Sequence, residues 1–164
     1  MSSQKTIILG LDPGIADTGF GVIEKIGNKI NFIDTGSIQT SKDKEFTTRL
    51  KEINFNVDKL IRKYKPDIVG VEKLYFAKNV KTALDVGQAR GVILLAIIEN
   101  NIKPLEFTPL QIKQAVCASG SASKRQVGLM VKTLLGLKAV PKPDDAADAL
   151  AIAITASFFN KRLV

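Results

Sequence analysis

Apolar positions along this chain follow two alternating rhythms. Residues 6–11, Thr-Ile-Ile-Leu-Gly-Leu, form a β-rich apolar run too short for a helix, and it stops at Asp12-Pro13-Gly14, a strong turn signal. A buried strand ending at Asp12 is expected. Gly19-Phe20-Gly21-Val22-Ile23 and then Ile30 to Ile38, separated by the turn-forming Gly27-Asn28, read as two more strands that pair in sequence order as an antiparallel meander. From Phe46 the period changes. Phe46, Leu50, Ile53, Val57, Leu60 and Tyr64 recur at the spacing of one helix face, and the pattern ends before Pro66. Asp67-Ile68-Val69-Gly70-Val71 is a second buried strand, again closed by an acid, Glu72.

Residues 80–99 predict a helix that is apolar around much of its circumference and carries the small residues Ala83, Gly87, Ala89, Gly91 and Ala96. Such a helix lies either in the core or at a subunit interface. Gly87 and Gly91 suit close helix approach in either setting. Leu105-Glu106-Phe107 reads as a short fifth strand, and Pro109 opens a helix to about Ala118. Ser123 followed by Gln126 is a capping-box pattern, which starts a helix at Lys124 that runs over 124–135 and is closed by Gly136. The last helix begins near Asp144, after Pro141 and Pro143, and continues through alanines and isoleucines to about Phe159. Strands alternating with helices define an α/β chain, expected to be one domain over 1–164.

Composition narrows the chemistry. With 45% hydrophobic and 24% charged residues the chain has globular proportions, and its longest apolar stretches fall well short of a bilayer span. The N-terminal residues run straight into the first strand without a secretory pattern, and Cys117 is the sole cysteine, so a cytoplasmic location is expected and Cys117 reads as a buried small hydrophobe. The chain contains 0 histidines, which removes Ser-His-Asp and Cys-His pairs, His-ligated zinc and imidazole bases. Hydrolytic chemistry would rest on carboxylates, lysines or metal. The net charge of +8 favours a polyanionic partner, although a lysine-rich, solvated surface would give the same balance.

Asp145 and Asp148 stand three apart in the first turns of the last helix, so they share a face of an otherwise apolar element. A helix N-terminus tolerates acids, and an aspartate there often serves only as a cap, a role that suits Asp144 better than its neighbours. Asp12 and Glu72 each close a strand, where open α/β sheets place their sites. Four convergent carboxylates require cations, and hard oxygen ligands select Mg²⁺ or Mn²⁺. A pair of such ions, with Asp12 bridging them and Glu72, Asp145 and Asp148 completing their shells, would support phosphodiester hydrolysis. Taken singly, each acid is more readily a cap, a turn residue or a surface charge than a ligand.

Leu9-Gly10-Leu11-Asp12-Pro13-Gly14, Val71-Glu72-Lys73, Gly87-Gln88-Ala89-Arg90-Gly91 and Asp145-Ala146-Ala147-Asp148-Ala149-Leu150-Ala151 resemble, in order and spacing, the bacterial RuvC Holliday junction resolvases. The likeness runs essentially end to end. It implies an RNase H-like fold with a mixed five-stranded sheet flanked by helices, a homodimer, and Mg²⁺-dependent symmetrical nicking of two opposing strands at a four-way DNA junction during recombination and repair. The family's catalytic, metal-holding acids fall on Asp12, Glu72, Asp145 and Asp148, and its RuvA-RuvB branch-migration complex becomes an expected partner. Some relatives carry histidine at the last metal position, where this chain has Asp148.

The resemblance also implies that an aromatic after Glu72 wedges into the junction, which falls on Tyr75 with Phe76 beside it; the alternative is that both rings pack in the core. Lys113 and Lys124 fall at basic positions that contact DNA, with Arg125 as a helper. Lys78, Lys81 and Arg90 are weaker DNA candidates. Gly14, Gly19 and Gly21 lack the pattern of a phosphate loop and are attributed to hairpin geometry. Two rivals remain: an actin-like nucleotide-dependent kinase or ATPase, for which one domain leaves no room for a nucleotide cleft, and a non-catalytic junction-binding protein, against which the retained acids argue.

Overall fold

The structure, a computed structural model, describes residues 4–74 and 79–159. Strands β1 (Lys5–Asp12), β2 (Asp17–Ile26) and β3 (Lys29–Gln39) form the expected meander, and β4 (Ile68–Glu72) and β5 (Leu105–Phe107) complete a sheet of order β3-β2-β1-β4-β5. β2 is antiparallel to both β1 and β3, whereas β1–β4 and β4–β5 are parallel, so the sheet is mixed. The meander strands run longer than the apolar pattern because Gly27 takes a left-handed φ of 59° and lets pairing continue to Ile26↔Lys29.

Helix α1 (Phe46–Tyr64) ends where Lys65 turns left-handed ahead of Pro66, which disfavours a further helical residue before it. Asn79 caps α2 (Val80–Glu99) by accepting from the Lys81 and Thr82 amides. Full capping boxes open α3 (Pro109–Cys117), through Thr108 and Gln111, and α4 (Lys124–Leu134), through Ser123 and Gln126. The last helix, α5 (Asp144–Ser157), is capped differently from expectation. Pro143 occupies the cap position and Asp144 lies inside the helix, so Asp144 is not the cap.

Period-2 alternation divides the sheet into two faces. Leu9, Leu11, Val22, Val69 and Val71 pack with α1 and α2, while Ile8, Ile23 and Ile68 pack with α3, α4 and α5. Cys117 is only half-buried, at the margin of this second core. On the α5 face, β1 reads Ile8, Gly10, Asp12 and β4 reads Ile68, Gly70, Glu72, and the two strands run in register with Gly10 beside Gly70. Across β2, Gly21 pairs with Gly10 and Gly19 with Asp12. A row of glycines therefore crosses three strands immediately below the two acids.

Helix α5 lies in that row. A Cβ on Gly10 would stand 2.1 Å from the Ala149 carbonyl oxygen, one on Gly19 would stand 2.0 Å from the Asp145 carbonyl, and one on Gly21 would stand 2.7 Å from the Leu150 nitrogen. Glycine is required here by close approach of backbones, not by the hairpins. Residues 149–157 of α5 are all buried, and its alanines are what permit that depth.

Candidate active site

Strand register and helix depth together build the site. Asp12 and Glu72 project from adjacent strand ends on the face that α5 covers, and α5 begins over Gly19, the partner of Asp12. The first turn of α5 is also tied to the sheet by Thr35, whose hydroxyl lies 2.8 Å from the Phe20 carbonyl and 3.2 Å from that of Ala146. Carboxylate oxygens of Asp12, Asp145 and Asp148 all lie within 4.8 Å of one another. Glu72 stands beside them, its carboxyl and that of Asp12 close enough for each to shift the other's affinity for a proton.

Burial pushes the Asp12 carboxyl up to about 9, and the charges of Glu72, Asp148 and Asp145 add to the effect. Glu72 is raised by burial and by Asp148, against the hydrogen bond with Asp12 and the charges of Lys124 and Lys113. A proton held by this pair would relieve the repulsion. Asp145 is raised by burial, with Lys124 opposing and Asp17, Asp148 and Asp144 reinforcing. An all-oxygen, half-buried donor set with an excess of negative charge suits a hard divalent cation.

Basic groups line the mouth of the site. Lys113 on α3 and Lys124 on α4 line a cleft whose walls also include Glu72 and Asp148. Lys124 places its Nζ 3.1 Å from Asp148 and 3.8 Å from Asp144. Burial opposes the charge on Lys124, yet the hydrogen bond and charge of Asp148, with Asp144 and Asp145 behind it, hold its ammonium above the usual lysine range. Arg125 is exposed beside Lys124, on the wall of a neighbouring cleft. Lys81 is exposed on the first turn of α2. Tyr75, Phe76 and Lys78 lie outside the described residues.

Arg90, a weaker DNA candidate by sequence, is engaged within the protein. Its side chain is 18% exposed, donates from Nε to the Glu72 carbonyl oxygen at 3.0 Å, and forms an ion pair through Nη2 with Glu106 on β5. Sequence reasoning missed Glu106 as its partner and missed the glycine row as the bed of the site. The repeated pattern Gly-x-acid, Gly10-Leu11-Asp12 and Gly70-Val71-Glu72, carries the signal for that row.

Sheet order, strand directions and the acids gathered under an N-terminal helix turn define a metal-dependent nuclease of the RNase H-like fold. A model of the crossover junction endodeoxyribonuclease RuvC family matches residues 8–156. The chain belongs to that family. It is 57% identical over 148 residues to the crossover junction endodeoxyribonuclease RuvC of Halothermothrix orenii, covering 90% of each chain. The RuvC of Petrotoga mobilis is 53% identical over 155 residues, covering 94% of this chain and 95% of that one. Among solved structures, Thermus thermophilus RuvC in complex with a Holliday junction substrate superposes with a TM-score of 0.88 at 36% identity, covering 93% of both chains.

Proposed function

We propose that this chain is a structure-specific endonuclease that resolves four-way DNA junctions in recombination and repair by nicking two opposing strands, and that it works as a single nuclease domain. The observation that carries this reading is the convergence of Asp12, Asp145 and Asp148, with Glu72 next to Asp12, beside the Lys113–Lys124 cleft. A Holliday junction is what the Thermus relative holds in its complex.

Asp12, Glu72, Asp145 and Asp148 would hold two Mg²⁺ ions, with Mn²⁺ able to substitute. Bound there, the ions would supply an activated water and a stabilised leaving oxygen for in-line phosphodiester hydrolysis. Lys113, Lys124 and Arg125 would take phosphates at the mouth, while Tyr75, Phe76, Lys78 and Lys81 would engage the junction centre and flanking backbone. Lys124 would exchange its ion pair with Asp148 for a phosphate as substrate enters.

The active form would be a homodimer. The outer face of α2 supports this, since Val80, Leu84, Leu95 and Ile98 are all more than half exposed and follow a helical stripe. Two sites in one symmetric dimer match two opposed nicks. The family likeness extends the proposal to the RuvA-RuvB complex as a partner and to the cytoplasm as location. Among the described residues no helix is long and apolar enough to cross a membrane.

A synthetic four-way junction and its matched linear duplex, each incubated with Mg²⁺ or chelator, test the proposal. Paired, ligatable nicks confined to the junction with Mg²⁺ are expected. Asp12→Asn should lower cleavage by about a thousandfold or more while junction binding persists, because ion loss removes the chemistry without altering the basic mouth. Wild-type cleavage by that variant would break the metal assignment.

A further inference from the structure

Among the described residues near the site, Arg90 is a half-buried charged side chain that touches neither the carboxylate oxygens nor the mouth. Arg90 projects from the middle of α2, and its guanidinium makes two contacts in different directions. Nε donates to the backbone carbonyl of Glu72, and Nη2 meets the carboxylate of Glu106 on β5. The remainder of its surroundings, Pro13, Lys73, Leu74, Val86 and Pro109, walls a small cleft on the α2 side of Glu72.

Glu72 stands where the sheet gives out on one side. Pairing of β4 with β1 ends at Leu11↔Val71, one residue short of Glu72, whereas pairing with β5 continues through Glu72↔Phe107 and the Lys73 amide, 2.7 Å from the Phe107 carbonyl. The Arg90 contact falls at this terminal residue. We infer that Arg90 is a positioning residue for cleavage: held by Glu106, it fixes the Glu72 backbone and so the direction of the Glu72 carboxylate, and it couples the placement of α2 to the site. This rests on the proposed role of Glu72 as a metal ligand.

The mode of action is geometric. The cationic influences that lower Glu72 are Lys124 and Lys113. A planar guanidinium can hold a carbonyl and a carboxylate at once, while a lysine ammonium offers one compact point charge. Because α2 carries the exposed stripe Val80, Leu84, Leu95 and Ile98 on its outer face, a partner seated there would reach Glu72 through one side chain.

The test compares Arg90→Lys, Glu106→Gln and Glu72→Gln with the full-length wild-type protein. Four quantities are read: melting temperature, junction affinity in chelator, kcat and KM against Mg²⁺ concentration, and direct Mn²⁺ titration without DNA. Arg90→Lys should retain the fold and junction affinity, lower kcat by about tenfold to a hundredfold, and raise the cation concentration needed for binding and for half-maximal rate. Glu106→Gln should show a smaller change in the same direction, since the amide still accepts a hydrogen bond. Wild-type kcat and cation dependence in folded Arg90→Lys, with Glu72→Gln inactive, would overturn the positioning role alone. Reduced junction affinity at unchanged kcat would make Arg90 a DNA contact and also overturn it. Wild-type cleavage by Glu72→Gln would instead bring down the metal-site reading on which the inference stands.

Discussion

Helices α2 and α5 have similar sequence character and opposite fates. Both are rich in alanine and isoleucine and apolar around most of their circumference. Helix α5 is swallowed by the fold, with every residue from Ala149 to Ser157 buried, while α2 buries Ala83, Ala89, Ile93, Ala96 and Ile97 and exposes Val80, Leu84, Leu95 and Ile98. What separates them is the surface each meets. Helix α5 lies on glycines that admit its backbone, whereas α2 shares bulky Leu9, Leu11, Val69 and Val71 with α1 and keeps a face to spare. Two largely apolar helices thus serve two ends: one sets the depth of a catalytic site, the other offers a surface.

The strongest way to break this comparison is to fill the glycine row. Gly10→Val would press side-chain atoms into the Ala149 carbonyl and the Ala153 amide, which lie 2.1 and 2.6 Å from even a single added Cβ. Because both obstacles are backbone, α5 must lift, and a loss of about 3 kcal/mol or more is expected, with the site opened as well. Gly87→Ala on α2 meets only the Leu74 side chain at 3.5 Å, an ordinary contact, so it should be neutral or gain up to about 1 kcal/mol in helix propensity. Thermal and denaturant melts of the two variants check the contrast. Equal melting temperatures would show that the glycine row does not set the depth of α5.

A smaller effect is expected on the spare face. Leu84→Glu or Leu95→Glu places a charge where side chains are 60% and 51% exposed, so the monomer fold should stand while self-association weakens by about thirtyfold or more. Sedimentation velocity across a concentration series reads the dimer, and circular dichroism reads the fold. An unchanged association constant would remove α2 from the proposed dimer interface.

Local signals explain how much of this was legible beforehand. The bounds of α1, α2 and β5 follow from the apolar pattern, with Pro66 and Pro109 as punctuation, and Ser123 with Gln126 marks the start of α4, because each signal lies within a few residues of the feature it reports. Asp12 and Glu72 were visible as strand-ending acids. Their shared face was not, since it depends on the Gly10↔Gly70 register between strands remote in sequence. The same limit hid the match between glycines and alanines, and it made Arg90 look like a surface cation when Glu106 and the Glu72 carbonyl are its partners. In the Asp144-Asp145 doublet adjacent identical residues carry little local distinction, and the resembling family's motif, Asp145-Ala146-Ala147-Asp148, is what favoured Asp145. Geometry separates them, with Asp145 grouped with Asp12 and Asp148, and Asp144 74% exposed beside Lys124.

The finest distinction between the two faces is electrostatic and shows in the response to pH. On the α5 face the Asp12 carboxyl is raised from 3.8 to about 9, and Glu72 and Asp145 are raised too. A carboxyl raised on folding binds a proton more tightly in the native state, so its contribution to stability is complete below the unfolded value and is lost as pH climbs towards the folded one. Carboxyls with the opposite shift, Glu24 through Lys5 and Asp58 through Arg62, act only at and below the ordinary carboxylate range. With 0 histidines, no imidazole obscures the interval between. The melting temperature in chelator should therefore fall by a few degrees between about pH 5.5 and about pH 8. Mg²⁺ should reduce that decline, because a cation substitutes for the shared proton and does so better as pH rises. Asp12→Asn should flatten the curve in chelator and abolish the difference made by Mg²⁺, while Leu84→Glu should leave the slope alone. A melting temperature that holds steady or rises across this interval in chelator would mean that Asp12 and Glu72 do not share a proton, and that the acids are less crowded than the strand register makes them.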